Sequence, residues 1–274
     1  MRTLTLELVP DVSAFNPHQL KPFYVLASCF NGSEVWARAH GVPHQMAIRN
    51  LQTAFVIQVA RVQYLQRYTY EQAERLVVSV TRRSLKDGAQ VEARTVFDAK
   101  PGGTVAEASL CVVPLTLVGD GGELAGLPAP MSTSYLQYFE ASERTSESYA
   151  SPFPSALQQI VESGELVSTY QHPFFVHREH CEFVDQWYFA EASNYAAASR
   201  ERMVFEQGAK LPYLRRGLSL PMRELSLLFL RPFYFFDEGQ VQTRAFRSHE
   251  GVCFVHELMK KDVPEPHALV IERF

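Results

Sequence analysis

The sequence has few cysteines and no long apolar segment. Its four cysteines, Cys29, Cys111, Cys181 and Cys253, are dispersed and form no Cys-x-x-Cys pair, which predicts reduced thiols rather than disulfides or a zinc site. No run reaches the roughly 18 apolar residues that a membrane span needs. The N-terminal residues alternate like a strand and lack the apolar stretch of a signal peptide. We therefore expect a cytoplasmic protein with no membrane partner.

The charges show no strong excess of either sign. With 26 Lys and Arg against 30 Asp and Glu, the net charge is −4, and the basic residues form no stripe, so nucleic acid is not an expected partner. The sequence contains neither the Gly-x-Ser-x-Gly motif of α/β-hydrolases nor a Walker phosphate loop. The glycine-rich run at 119–124 departs from the dinucleotide-binding pattern Gly-x-Gly-x-x-Gly at its sixth position, Leu124. No cofactor is expected.

The sequence does contain an internal repeat. Residues 64–70 and 229–235 have a similar aromatic and basic pattern, and they stand 165 positions apart (229 minus 64). Each lies downstream of a helical stretch that ends at a glycine, Gly41 or Gly208, and upstream of an apolar strand. Because a helix and a strand meander occur twice, the sequence predicts two fused, related units. With 46% hydrophobic residues, each unit can bury its own core.

Each predicted unit combines one long helix with an antiparallel sheet, an α+β arrangement. The units are predicted at 1–118 and 166–274, with a connection at 119–165. The first helix begins near Leu20 and ends at Gly41, the second occupies 192–207, and a short one occupies 155–163. Strands are predicted at 54–65, 75–82, 89–97, 105–118, 167–183, 224–233, 240–247, 252–259 and 267–274. Hairpin corners are predicted at Asp87-Gly88 and Glu250-Gly251.

One segment of the second unit carries a family resemblance. Residues 185–195 read Asp-Gln-Trp-Tyr-Phe-Ala-Glu-Ala-Ser-Asn-Tyr, so an aspartate is followed ten positions later by the end of an Asn-Tyr pair inside a predicted helix. A second, shorter match is Arg231-Pro232-Phe233 with Asp237-Glu238-Gly239. The chain resembles the 4-hydroxybenzoyl-CoA thioesterase superfamily, which implies a double hot dog fold of two antiparallel sheets, each wrapped around one long helix. It departs from the family at Tyr188 and Phe189, where Gly and His or Ile are usual.

The resemblance implies hydrolysis of an acyl thioester and gives roles to residues near the second helix. Asp185 would act as nucleophile or general base. The backbone N–H of Ala192, expected to be free at the helix start, would polarise the thioester carbonyl. Asn194 and Glu191 could orient substrate or water, and Tyr188 could donate a hydrogen bond to the thioester. A capping or solvated role is the alternative for each of these polar residues.

The remaining candidates surround this site or its counterpart in the first unit. Tyr195 is expected to contact substrate. No carboxylate of the first unit is in register with Asp185, so one site per chain is the simplest expectation, although His18 and Asn16 lie near the equivalent corner and could contribute. Glu34, in the middle of the first helix, is either a catalytic acid or a surface residue.

A metal site is not expected at residues 177–181, which read His-Arg-Glu-His-Cys. On the predicted strand, His177 and His180 would point to opposite faces of the sheet, which separates the ligands. The aromatic run at 233–236 could line an acyl tunnel, although a core or interface position is more usual for such runs.

The implied substrate is a thioester of coenzyme A or of an acyl carrier protein, with a fatty or polyketide acyl group. Two other functions stay open. A dehydratase or hydratase of 3-hydroxyacyl thioesters would need His18 close to Asp185, whereas a non-catalytic acyl-binding scaffold would have the Tyr188-Phe189 loop closed over Asp185. Because hot dog units pair with each other, one fused chain already offers two units, and a homodimer of such chains also stays open.

Overall fold

The computed structural model describes residues 1–117, 126–182, 185–249 and 251–274 of the 274-residue chain. The chain divides into two compact units, Met1–Ala150 and Ser151–Phe274. The segment predicted as a connection is thus shared between the two units. The glycine-rich run at 119–124, Phe183 at the end of a predicted strand and Glu250 of a predicted hairpin corner lie outside the described residues.

The first unit combines one long helix with an antiparallel sheet. Its elements are β1 (Thr3–Leu8), α1 (Pro22–His40), α2 (His44–Leu51), β2 (Thr53–Tyr64), β3 (Arg75–Leu85), β4 (Gln90–Lys100), β5 (Gly103–Leu117), β6 (Gly126–Pro128) and α3 (Thr133–Leu136). The sheet order is β1-β3-β4-β5-β2, and β6 pairs with β5. The predicted hairpin corner joins β3 to β4, with Asp87 and Gly88 both at positive φ. α1 and the four strands after it confirm the sequence prediction; α2, β6 and α3 were not predicted.

The second unit repeats this layout. Its elements are α4 (Phe153–Ser163), β7 (Glu165–Phe175), α5 (Glu191–Gln207), α6 (Arg216–Ser219), β8 (Glu224–Phe229), β9 (Glu238–Ser248), β10 (Gly251–Lys260) and β11 (Pro266–Arg273). The sheet order is β8-β11-β10-β9-β7, with every pair antiparallel. The short helix predicted at 155–163 is α4, and its buried Phe153 and Ile160 pack on Phe246, Val255 and Ile271 of the sheet.

The prediction of one strand across 167–183 was wrong in its second half. β7 ends at Phe175, and a turn of 3-10 helix follows at Arg178–His180. This turn brings the rings of His177 and His180 to 5.5 Å from each other. The expected separation of these two imidazoles on opposite faces was therefore also wrong, because the residues are not on a strand.

Helix α5 contacts its sheet through a chain of buried polar side chains. Ser199 Oγ lies 2.7 Å from Thr243 Oγ1, which lies 2.8 Å from His256 Nδ1. His256 Nε2 is 3.2 Å from Glu272 Oε2, and Arg200 donates to Glu272 Oε1 at 2.5 Å. Burial opposes ionisation of this carboxyl group, but the charge of Arg200 and the hydrogen bond from His256 outweigh it and lower the pKa of Glu272.

The first unit buries a different ion pair. Glu143 is 1% exposed, and Arg2 meets it with its backbone N–H at 2.8 Å and its guanidinium at 2.7 Å. The same guanidinium donates to the carbonyl of His40 at the end of α1 and to that of Tyr138. Burial alone raises the pKa of a carboxyl group, but these contacts with Arg2 outweigh it and lower the pKa of Glu143 to about 2. Arg2 therefore ties β1 to the end of α1.

In the part of the chain that the structure describes, no helix is both long enough and apolar enough to cross a membrane.

We expect Glu272→Gln to lower the free energy of unfolding by about 3–5 kcal/mol, because the amide leaves the buried charge of Arg200 without its counter-ion. The control is Glu201→Gln, which removes the other carboxylate near Arg200, 3.6 Å away and 60% exposed. That variant should stay within about 0.5 kcal/mol of the wild type. Urea denaturation at pH 7 measures both, and equal stability of the two variants would contradict a structural role for the buried pair.

We expect Arg2→Met to lower the free energy of unfolding by about 3 kcal/mol at pH 7, because the buried carboxylate of Glu143 then loses its counter-ion. The pKa of Glu143 is lowered from 4.5 to about 2 in the folded chain, so this stabilisation is present above 4.5 and is lost as the pH falls toward 2. The difference between variant and wild type should shrink over that range.

Arg75→Met is the control for Arg2→Met, since its partner Glu7 and Arg75 itself are 63% and 56% exposed. It should change the free energy of unfolding by less than about 1 kcal/mol. A difference between Arg2→Met and the wild type that did not depend on pH would rule out the ionised Glu143 as its cause.

Candidate active site

Asp185 lies at the tip of a short hairpin that precedes α5. The arms of this hairpin, at 180–182 and 185–188, pair at Cys181 and Trp187, and the N–H of Tyr188 donates to the carbonyl of His180 at 2.8 Å. Asp185 has a φ of +56°, in the left-handed region that aspartate tolerates better than most residues. Non-glycine residues in this region are enriched at functional sites.

The Asp185 carboxylate is open to solvent. It is 51% exposed, and Arg178 Nη2 lies 3.4 Å from it. Arg178 also covers the ring of Phe235 at 4.5 Å, and the N–H of Phe235 donates to the backbone carbonyl of Asp185. An exposed ion pair of this length contributes little to stability. Asp185 is therefore held by its backbone, whereas its side chain stays accessible to water.

The backbone N–H groups in the first turn of α5 already donate hydrogen bonds within the chain. Helix α5 begins at Glu191, and the N–H of Ala192, predicted to be free, donates to the carbonyl of Phe189 at 3.2 Å. The N–H of Ser193 donates to Ala190 in the same way. These N–H groups are not free because residues 188–190 form a turn that continues into the helix. The carbonyl groups of this turn accept the hydrogen bonds of the N–H groups. Ala192 itself is buried.

Glu191 and Asn194 form a pair on this turn, with Asn194 Nδ2 donating to Glu191 Oε2 at 2.9 Å. Burial raises the pKa of Glu191, although the hydrogen bond from Asn194 and the nearby imidazole of His180 oppose the rise. The Glu191 carboxyl group is thus less exposed than that of Asp185. A carboxyl group with a raised pKa is suited to proton transfer near neutral pH.

Tyr195 connects α5 to the segment before the hairpin. Its hydroxyl donates to the carbonyl of Phe175 at 3.0 Å and lies 2.9 Å from His180 Nδ1. Its ring packs on Phe174 and Trp187, at centroid distances of 4.6 and 5.4 Å. Burial, with a further contribution from the charge of Glu191, raises the pKa of Tyr195, so the phenol keeps its proton.

His180 was not among the predicted site residues. Its imidazole is 25% exposed, and Glu179 Oε1 lies 3.7 Å from its Nε2. The sequence signal was the run 177–181, which we considered only as a metal site. No group of three or more His, Cys, Asp and Glu residues suited to a metal ion is present in the described ranges.

The aromatic candidates take different positions. The ring of Tyr188 packs edge-on against Phe189 at 4.9 Å. Within the run 233–236, Phe233 is fully buried, whereas Tyr234 is 39% and Phe236 66% exposed. These residues therefore do not form one continuous lining of an acyl tunnel. An open cleft of about 1010 Å³ is lined by Phe174 and Phe175 of β7 and by residues of β9 and β10.

The candidates of the first unit lie in the loop before α1 and on α1 itself. The side chain of Asn16 accepts from the backbone N–H groups of His18 and Gln19, both at 2.9 Å, so it stabilises its own loop. Asn16 also lines a shallow cleft of about 510 Å³ with Arg67 and Glu71. Glu34 is half-buried on α1.

Known structures resemble this chain over almost its whole length. A protein assigned as an oleoyl thioesterase from Lactobacillus plantarum has a TM-score of 0.74 and 9% identity, over 99% of this chain and 94% of its own. The 12:0-ACP thioesterase from Umbellularia californica has a TM-score of 0.69 and 7% identity, over 99% and 96%. An acyl-ACP thioesterase from Bacteroides thetaiotaomicron has a TM-score of 0.64 and 13% identity, over 99% and 97%.

This chain has the hot dog fold. No protein-family model matches the sequence, and no curated protein does. The predicted fold class, an α+β chain with two hot dog units, is confirmed by the structural similarity. The roles of Asp185, Ala192, Asn194, Tyr188, Glu191, Tyr195, His18 and Asn16 stay predictions.

The close packing of Phe174 against β9 in the second unit can be tested at Gly239. A Cβ at this position would lie 2.5 Å from the ring of Phe174 and 2.5 Å from the carbonyl of Met259. We expect Gly239→Ala to lower the free energy of unfolding by about 1–3 kcal/mol, because the overpacking must displace backbone or ring. The control is Gly41→Ala, whose Cβ would find its nearest neighbour at 3.6 Å. Equal stability of the two variants in denaturant would contradict close packing at Gly239.

Proposed function

We propose that the chain hydrolyses an acyl thioester of coenzyme A or of an acyl carrier protein. The site lies in the second unit, on the hairpin arms at 180–182 and 185–188 and the first turns of α5, and Asp185 is the carboxylate that attacks the carbonyl carbon or activates water. The observation that carries the proposal is that this hairpin and helix carry two carboxyl groups, an imidazole and a phenol: Asp185 is at the hairpin tip, Glu191 is paired with Asn194, and His180 contacts Tyr195.

The chemistry fits the environment of each group. A thioester carbonyl is attacked by a nucleophile that solvent or substrate can reach, and the Asp185 carboxylate is accessible while its backbone is fixed. Glu191 and Asn194, paired with each other on the first turn of α5, are the groups proposed to hold substrate or water. The Ala192 N–H could polarise a carbonyl only if it turned from Phe189, to which it donates at 3.2 Å.

The substrate class rests on the likeness to other hot dog proteins. Those proteins are named for oleoyl, 12:0-ACP and acyl-ACP thioesters, which supports a fatty acyl chain here. The cleft beside Phe174 and Phe175 has about 1010 Å³ of space, within the range of ligand sites or slightly above it. These two phenylalanines also border Tyr195, through its ring and its hydroxyl.

We expect the purified protein to release free thiol from acyl-CoA or acyl-carrier thioesters, measured with a chromogenic thiol reagent. Asp185→Asn should lower kcat/KM by roughly 100-fold or more, since asparagine keeps the backbone conformation and removes the charge. Asp87→Asn is the matched control, because Asp87 is also an exposed aspartate at positive φ, in the first unit. It should be as active as the wild type.

The other outcomes separate the alternatives. Full activity in Asp185→Asn with a loss in Glu191→Gln would move the carboxylate role to Glu191. Conversion of a 3-hydroxyacyl thioester to the enoyl form without thiol release would show a dehydratase. If no thioester reacts but acyl ligands raise the melting temperature, the chain only binds them.

A further inference from the structure

The hydroxyl of Tyr195 has two polar neighbours and one proton to share. The carbonyl oxygen of Phe175, 3.0 Å away, can only accept a hydrogen bond. His180 Nδ1, 2.9 Å away, can donate or accept, depending on its protonation. Both contacts are hydrogen bonds at the same time only if the phenol donates its single proton to Phe175 and accepts a hydrogen bond from His180.

The two contacts of the Tyr195 hydroxyl determine which ring nitrogen of His180 carries a hydrogen. Once the Tyr195 proton is donated to Phe175, the phenol oxygen can only accept from His180, so Nδ1 must carry a hydrogen. A neutral imidazole with a proton on Nδ1 has a free electron pair on Nε2. Within the described residues, Glu179 Oε1 lies 3.7 Å from His180 Nε2. This distance is too long for a hydrogen bond.

We propose that His180 is a further catalytic residue of this site: its Nε2 accepts a proton from the attacking water, and Tyr195 is the positioning residue that sets its tautomer. The proposal rests on the proposed hydrolysis. It applies to the route in which Asp185 attacks the thioester carbon and forms an anhydride, because the water molecule that hydrolyses the anhydride must lose a proton.

The proton transfers balance over the reaction. An Asp185 oxygen bonds to the carbonyl carbon as the bond from carbon to sulfur breaks, with its electron pair on sulfur. Water then attacks the acyl carbon of the anhydride, His180 Nε2 takes one water proton and becomes imidazolium, and the bond from the acyl carbon to the Asp185 oxygen breaks with its electron pair on the Asp185 carboxylate. The imidazolium returns the proton to the thiolate. The products are a carboxylic acid and a thiol, and His180 is again neutral. No further reactant is needed.

The charged groups that face His180 suit a transient positive charge. Glu179 on its own turn and Glu191 on α5 are both near the ring, and a carboxylate close to an imidazolium stabilises it. His177 contacts it edge-on at 5.5 Å, and Tyr195 completes the surroundings from α5. At 25% exposure the ring remains open to water.

The tautomer can be measured directly in the full-length protein. Nitrogen-15 NMR of histidine-labelled protein should show one imidazole with hydrogen on Nδ1 and a bare Nε2, and His180→Gln should remove that signal. In Tyr195→Phe the same signal should move toward the other tautomer, a change that a merely structural role of the phenol would not cause. A His180 ring with hydrogen on Nε2 alone in the wild type overturns the proposal.

Kinetics then test the catalytic step. His180→Gln should lower kcat by roughly 100-fold with little change in KM. His177→Gln is the control, since it removes the adjacent imidazole, and should stay within about two-fold of the wild type. A fully active His180→Gln overturns the role of His180 and leaves the hydrolysis standing. A wild type that hydrolyses no thioester overturns both.

Discussion

The position of α5 depends on one buried ion pair. Arg200 and Glu272 are almost completely buried, and removing two charges from water costs several kcal/mol per ion unless each finds good partners. Arg200 donates to one carboxylate oxygen of Glu272, and the other oxygen contacts His256. His256 contacts Thr243, which in turn contacts Ser199. Helix α5 is therefore joined to β9, β10 and β11 by hydrogen bonds. Directional bonds fix the rotation of a helix more narrowly than apolar contacts do. The turn that carries Glu191 and Tyr195 therefore has a defined orientation.

The two units reach the same architecture by different chemistry. Helix α1 buries Val25, Leu26, Cys29 and Trp36, and Gly32 lets Val80 of β3 approach to a distance that no Cβ would allow. Helix α5 also buries apolar residues, among them Met203 and Val204, but it adds the polar side chains of Ser199 and Arg200. Buried hydrogen-bond networks rigidify a core and favour one arrangement of it. It is consistent with this difference that the candidate site belongs to the unit whose helix is fixed by polar contacts.

Periodicity was enough to predict most of the fold. The three-and-four spacing from Leu20 predicted α1, and alternation with turn residues predicted the strands within a few positions. It was not enough at the end of β7. The strand ends at Phe175, and a 3-10 turn follows at Arg178–His180, closed by a hydrogen bond from the N–H of His180 to the carbonyl of His177. The alternation of residues along the predicted strand does not show this turn, so the strand was extended too far and the proximity of His177 and His180 was missed.

The candidate site shows the same division between local and distant information. The family resemblance carried by residues 185–195 placed Asp185, Glu191, Asn194 and Tyr195 in one candidate site, because a loop and a helix start are local features. The burial that distinguishes one carboxyl group from another is not local. Asp185 is half-exposed with a long, weak ion pair, whereas Glu191 is screened enough for its pKa to rise.

This difference sets a physical constraint on any reaction at the site. A nucleophile gains from being accessible and charged, and a group that transfers protons gains from a pKa near the working pH. The exposed aspartate therefore suits attack, and the less exposed groups around Tyr195 suit the movement of protons. In this arrangement the nucleophile is at the hairpin tip and the groups that transfer protons are near the start of α5. The reaction therefore requires a bound thioester that extends from the hairpin tip to the start of α5.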